Sequence, residues 1–100
     1  RIALNIHNIV YFEMFNKDGV VHTVDKQKYS FRSTLTVVEN SLEPALFFKP
    51  HKSYLVNIKY IQYISEHEIR VINGDVIPLS RNRRKQVYKL LSTHPEIVFT

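Results

Sequence analysis

Two dipeptides, Asp18-Gly19 and Asn73-Gly74, hold the only two glycines of this chain. Each stands between short runs in which apolar and polar residues alternate. That is the period of a half-buried strand, and the glycine pairs are hairpin signals. The chain is therefore constrained to short, hairpin-connected strands. Ile2 to Ile6 alternates, Ile9 to Phe15 is a β-branched and aromatic run, and Val20 to Val24 is its expected partner across Asn16-Lys17-Asp18-Gly19. Asp25-Lys26-Gln27 is a second polar turn, and Lys28 to Arg32 continues an antiparallel meander.

A different pattern follows. Ser33 offers a side-chain oxygen to cap a helix over Thr34 to Leu42, where Leu35, Val38 and Leu42 share a face. Its Thr and Val content makes that helix dependent on packing. After Pro44, Leu46 to Lys49 and Tyr54 to Val56 read as strands flanking the polar loop Pro50-His51-Lys52-Ser53. Tyr60 to Ser65 and Glu68 to Ile72 form a hairpin pair, and Val76-Ile77 returns across Asn73-Gly74. From Ser80 the period becomes helical and runs to about Ser92, before Pro95. The expectation is a mainly β fold of seven or eight short strands, in a compact sandwich or a stack of small sheets, with a short mid-chain helix and a C-terminal helix.

One hundred residues make one domain, here taken as 1–100, with a single modest core. Hydrophobic residues at 44% and charged residues at 23% speak against disorder. The lack of cysteine excludes disulfides, thiolate zinc sites, Fe–S clusters and a cysteine nucleophile, and it is compatible with a reducing cytoplasm. Neither a signal peptide nor an apolar run of about 18 residues is present. The first residue is Arg1 rather than Met, so a longer parent protein is expected.

The net charge of +5 lies entirely in the second half. Residues 1–43 balance five bases against five acids, whereas residues 44–100 set nine against four. Two windows lack acids altogether: Pro44 to Ser65 holds three bases and Val76 to Pro95 holds five. Such windows attract polyanions, because binding releases condensed counterions. The plain alternative is a solvated basic face, and charge alone does not separate DNA from RNA or an acidic membrane.

Enzyme chemistry finds little support. G-x-G-x-x-G, a P-loop and G-x-S-x-G are all missing. His7, His22, His51, His67 and His94 show no i, i+4 pairing and no H-E-x-x-H, so no metal and no cofactor is expected. His51 stands among Lys49, Lys52 and Ser53, all donors, which favours anion contact over a structural role or metal ligation. Arg81 to Lys85 (RNRRK) places four cations where a helix dipole prefers anions. An external phosphate would relieve that arrangement, and the free N–H groups of the helix end would point toward it. The alternative is a solvated basic turn whose stems cover apolar surface.

Two segments together carry a resemblance. FFKPHKSYLVNIKYI (Phe47 to Ile61) and NGDVIPLSRNRRKQV (Asn73 to Val87) resemble the LytTR DNA-binding domain of bacterial response regulators. Phe48, Lys49, His51, Lys52, Ser53, Val56 and Asn57 fill its first pattern, and Ile77, Pro78, Leu79, Ser80 and Arg81 its second. IVYFE (Ile9 to Glu13) is similar to the strand before its first DNA-facing loop. The resemblance implies stacked small antiparallel sheets, a β-β-β arrangement, with three loops entering successive major grooves: Asn16 to Gly19, Pro50 to Ser53 and Ser80 to Arg84.

Carried over residue by residue, Lys52 and Arg81 take base-contacting positions, with His51 and Ser53 beside them on the DNA backbone. Gly19 falls where some members use a side chain to reach a base, so Lys17 is the substitute, and Pro50 should stiffen its loop. Chemistry supports the same division. Arg81 can donate two hydrogen bonds to guanine O6 and N7, and Lys52 reaches that edge as a point charge. Lys49, Lys59, Arg83, Arg84 and Lys85 suit phosphate contacts, with Ser80 and Asn82 supporting. Val56 is assigned to the core and Asn57 to backbone hydrogen bonds that set loop geometry.

The expected function is sequence-specific binding of double-stranded DNA, as the cytoplasmic output domain of a two-component transcriptional regulator. The intact protein is expected to dimerise on repeated half-sites, with no membrane contact by this domain. The rival from another class is a non-specific polyanion- or RNA-binding basic β domain, and a hydrolase with an unrecognised site is a third possibility.

Overall fold

A computed structural model describes residues 3–100. Arg1 and Ile2, the latter the first residue of the expected Ile2–Ile6 strand, lie outside the described residues. The described residues form nine strands and two α-helices, joined by three short 3-10 turns. The strands are β1 (Ile9–Phe15), β2 (Asp18–Thr23), β3 (Lys28–Arg32), β4 (Phe47–His51), β5 (Tyr54–Asn57), β6 (Ile61–Ile64), β7 (Glu68–Val71), β8 (Val76–Pro78) and β9 (Val98–Phe99). The helices are α1 (Leu35–Ser41) and α2 (Arg84–Thr93), and the 3-10 turns are Ile6–Asn8, Ile58–Tyr60 and Arg81–Arg83.

The first sheet has the order β3-β2-β1-β5-β4 and the second β8-β7-β6-β9. Every pairing is antiparallel except β6 with β9. The first sheet is buried on both faces because its strands alternate between two apolar clusters. Phe12, Met14, Val21 and Leu55 meet Val38 of α1 on one side. Val10, Tyr11, Phe48 and Val56 join Ile64, Ile69, Val71 and Ile77 of the second sheet on the other. Helix α2 closes that second core with Val87 and Leu90, each contributing roughly 1.5–3 kcal/mol by burial. The architecture is the mainly β stack that the sequence implies, with a mid-chain and a C-terminal helix.

Several local expectations need correction. Residues 3–5 are irregular, and Ile6–Asn8 is a 3-10 turn capped by the Asn5 side chain. Leu4 and Ile6 alternate because both pack on the α1-side core, which imitates the strand period without a strand partner. The first hairpin turns at Asn16-Lys17, since Phe15 pairs with Asp18. Asn16 supplies the left-handed residue at φ +62°, a conformation Asn tolerates. Gly19 instead sits within β2, where a Cβ would run into the Phe31 ring and come within 2.9 Å of the Met14 sulfur. The residue capping α1 is Thr34 rather than Ser33, its hydroxyl accepting from the Val37 N–H at 3.3 Å. Strand β4 extends through His51, leaving Lys52-Ser53 as a two-residue turn. The helix expected from Ser80 begins as the 3-10 turn Arg81–Arg83 and becomes α-helical only at Arg84.

Candidate nucleic-acid interface

Register places two of the three turns at one end of the first sheet. β1 and β5 run antiparallel with Glu13 opposite Tyr54, so the turn after β1 and the turn before β5 lie side by side. The Met14 N–H donates to the Ser53 carbonyl at 2.8 Å, which ties them together. Lys17 occupies the first turn and Lys52 the second, both exposed.

The third segment belongs to the second sheet, yet it is anchored to the same place. Ser80 donates through its N–H (2.9 Å) and its hydroxyl (3.3 Å) to the carbonyl of Pro50 in β4. Pro50 is fully buried, so the anchor point cannot shift freely. Arg81 follows directly and is exposed. Ser80 therefore clamps the turn ahead of α2 to β4 and makes no side-chain cap bond to the Arg81–Arg83 3-10 turn it precedes. Its hydroxyl also lies 2.8 Å from Asn82 Oδ1.

Between the second and third segments lies a notch of about 130 Å³ lined by His51, Lys52, Ser80, Asn82 and Arg83. The Ser53 N–H donates to His51 Nδ1 at 3.1 Å, which leaves Nε2 as the ring's donor. The His51 ring meets Tyr54 edge to face at 5.7 Å. Among the described residues, Lys17, Lys52, Arg81, Arg83 and Lys85 form no ion pair and no side-chain hydrogen bond. The arrangement is a set of unneutralised side-chain donors, suited to polyanionic ligands.

Four sequence candidates fall elsewhere. Asn57 is buried at the opposite end of β5, donating to the Ile9 carbonyl at 2.9 Å and accepting from Lys59 N–H at 3.2 Å. It shapes the turn after β5, not the Pro50 to Ser53 loop. Lys59 lies at that same far end, over the Tyr60 ring at 5.0 Å and 3.3 Å from His7 Nδ1. Lys49 points to Glu39 of α1 at 3.4 Å. Arg84 donates to the Glu66 carbonyl and to His67 Nδ1, both at 3.0 Å, and pairs with the Glu66 carboxylate at 3.5 Å. It fastens α2 to the β6–β7 turn.

Sequence reasoning missed a polar cluster behind the turns. Buried His22 stacks on Tyr11 with ring centroids 4.0 Å apart, and its Nε2 donates to Glu13 Oε1 at 3.2 Å. The Tyr54 hydroxyl donates to Glu13 Oε2 at 3.2 Å, and the Tyr11 hydroxyl to Asp75 Oδ2 at 2.9 Å. Burial, then the Asp75 contacts, push the Tyr11 phenol up; burial, then Glu13, do the same for Tyr54. The period-two placement of Tyr11 and Glu13 was the available signal, but the partner strands were needed to read it.

A hollow of about 600 Å³ lies between α1 and the first sheet, and among the described residues its walls hold no carboxylate, histidine or lysine. Among the described residues there is no cluster of three or more His, Cys, Asp or Glu side chains placed to hold a metal ion, and no helix is long and apolar enough to cross a membrane.

A stack of two small sheets that gathers three cation-bearing turns at one end defines a class of loop-presenting β domain. The profile described as the LytTr DNA-binding domain matches residues 1–92, and the chain belongs to that family. Its relatives include the sensory transduction protein LytT of Bacillus anthracis, 32% identical over 90% of this chain, and that of Enterococcus faecalis, 37% identical over 86%. The chain spans 38% of the length of each. In fold it is similar to a solved LytTr DNA-binding domain from Bacillus cereus, with a TM-score of 0.79 and 23% identity, covering 90% of this chain and 86% of that one. The family is a DNA-binding one, not a catalytic one.

Proposed function

We propose that this domain binds double-stranded DNA sequence-specifically, its three adjacent turns entering the major groove, as the output domain of a cytoplasmic two-component transcriptional regulator. The observation that carries the reading is the clamp from Ser80 to Pro50, which sets Arg81 beside the Lys52 turn on a rigid support. In this reading Lys52 and Arg81 donate to base edges. Lys17, His51, Ser53, Arg83 and Lys85 hold phosphates, and Ser80 and Asn82 keep the third segment in place. Lys49, Asn57, Lys59 and Arg84 leave the contact set, because each is engaged within the fold. Dimerisation of the intact regulator would seat two such domains on repeated half-sites.

Competition at fixed salt tests this, with a duplex selected from a random library set against scrambled duplex and RNA. Arg81→Ala should cost about 1–3 kcal/mol on the selected duplex and relax one base position, while Lys85→Ala weakens all duplexes alike. Equal losses on every polyanion from both changes would favour a non-specific adsorber instead.

A further inference from the structure

The turns proposed to meet DNA belong to two separate sheets, so their spacing depends on how those sheets are fixed to each other. Ser80 on Pro50 is one polar tie. The second lies farther down the interface, where the β7–β8 turn reaches the first sheet through Asp75. Its carboxylate accepts from the Tyr11 hydroxyl at 2.9 Å and lies 3.9 Å from His22 Nδ1. Asn73 holds that carboxylate in turn, its Nδ2 donating to Asp75 Oδ2 at 3.1 Å and its Oδ1 accepting the Asp75 N–H at 3.0 Å. Strand β8 then runs from Val76 straight to the Ser80-Arg81 segment.

We infer that Asp75, held by Tyr11 and Asn73, is a positioning residue that fixes the Arg81 segment in register with the Lys17 and Lys52 turns. The inference rests on the proposed DNA reading. Apolar contacts between the two sheets are non-directional and tolerate sliding. Hydrogen bonds at both ends of β8 do not, because each requires a narrow distance and angle. On the other side of the same cluster, Glu13 accepts from His22 and Tyr54, and Tyr54 backs the His51 ring beside the second turn. One connected set of side chains therefore reaches from the β7–β8 turn to the Lys52 turn. Burial and the neighbouring carboxylates hold the two phenols protonated, so they stay donors.

The test uses Tyr11→Phe, which keeps the ring and removes the hydroxyl, together with Asp75→Ala and Asp75→Asn. The chain has no cysteine, so Asp18→Cys and Gln86→Cys give two unique sites for spin labels on the first sheet and on α2. In Tyr11→Phe and Asp75→Ala the distance distribution between the labels should broaden. The ratio of selected-duplex to scrambled-duplex affinity should fall about tenfold, the size expected when one base contact is lost. Asp75→Asn keeps an oxygen for the Tyr11 hydroxyl and should retain both. A variant that melts earlier yet keeps the narrow distribution and the ratio overturns the inference, since the cluster would then only stabilise the fold. If the unaltered chain fails to discriminate between duplexes, the DNA reading falls by itself, and the label distances, taken without DNA, still decide this point.

Discussion

Gly19 is held in β2 by its neighbours rather than by its backbone angles. The Phe31 ring and the Met14 sulfur occupy the space a methyl group would need. Gly19→Ala should therefore cost about 1–3 kcal/mol as overpacking, measured by denaturant unfolding. The same contact leaves no room for a side chain at this position, which is why the proposed DNA contact of the first turn is assigned to Lys17 at its tip. Asn57 has the opposite problem, since it is buried with two backbone partners. Asn57→Ala orphans the Ile9 carbonyl and should lose about 1–3 kcal/mol of stability without changing discrimination between duplexes. The phenols add a pH dependence. Both have folded pKa values raised above the unfolded ~10, so their contribution is present below that pH and is lost as pH rises past it. Alkaline unfolding should begin near there, and Tyr11→Phe should shallow the slope of stability against pH. At this scale the sequence named the donors Lys52 and Arg81 but not their surroundings. The carbonyl of Pro50 and the carboxylate of Asp75 act through partners tens of residues away, and no local pattern encodes such distances.

At the scale of elements, strand and helix periods were legible wherever an element buries one clear face. β3 and α1 were read within a residue or so for that reason, and β1, buried on both faces, by its unbroken β-branched and aromatic run. Ile2–Ile6 failed because one-sided packing of Leu4 and Ile6 produces alternation without a strand. β9 escaped because two residues carry no period and its parallel pairing with β6 depends on the path taken after α2. Helix α1 is short and built from Thr, Val, Glu and Asn, so its cap matters more than its propensity. Thr34→Ala should destabilise it by about 1 kcal/mol. Hydrogen exchange would show this as faster exchange of the α1 amides, with those of β1 and β5 unchanged.

For the whole molecule, the total of +5 says less than the end at which each cation stands. Lys17, Lys52, Arg81, Arg83 and Lys85 belong to the turn end or to the start of α2, whereas Lys59 lies beyond the far end of β5 beside His7. Lys49 and Arg84 are matched by Glu39 and Glu66 within the fold. Counterion release depends only on cations that meet phosphates, and each lost contact lowers the slope of log K against log salt by about 0.9. Charge added up along the sequence would give Lys59 and Lys85 equal weight. The fold separates them, because Lys59 follows the last residue of β5, whereas Lys85 stands in the first turn of α2, just after the segment that Ser80 ties to β4. Titrating a selected duplex across a range of salt should show Lys85→Ala lowering the slope by about one phosphate's worth and Lys59→Ala leaving it unchanged. Equal reductions from the two substitutions would mean that DNA wraps the whole domain rather than meeting one end of it.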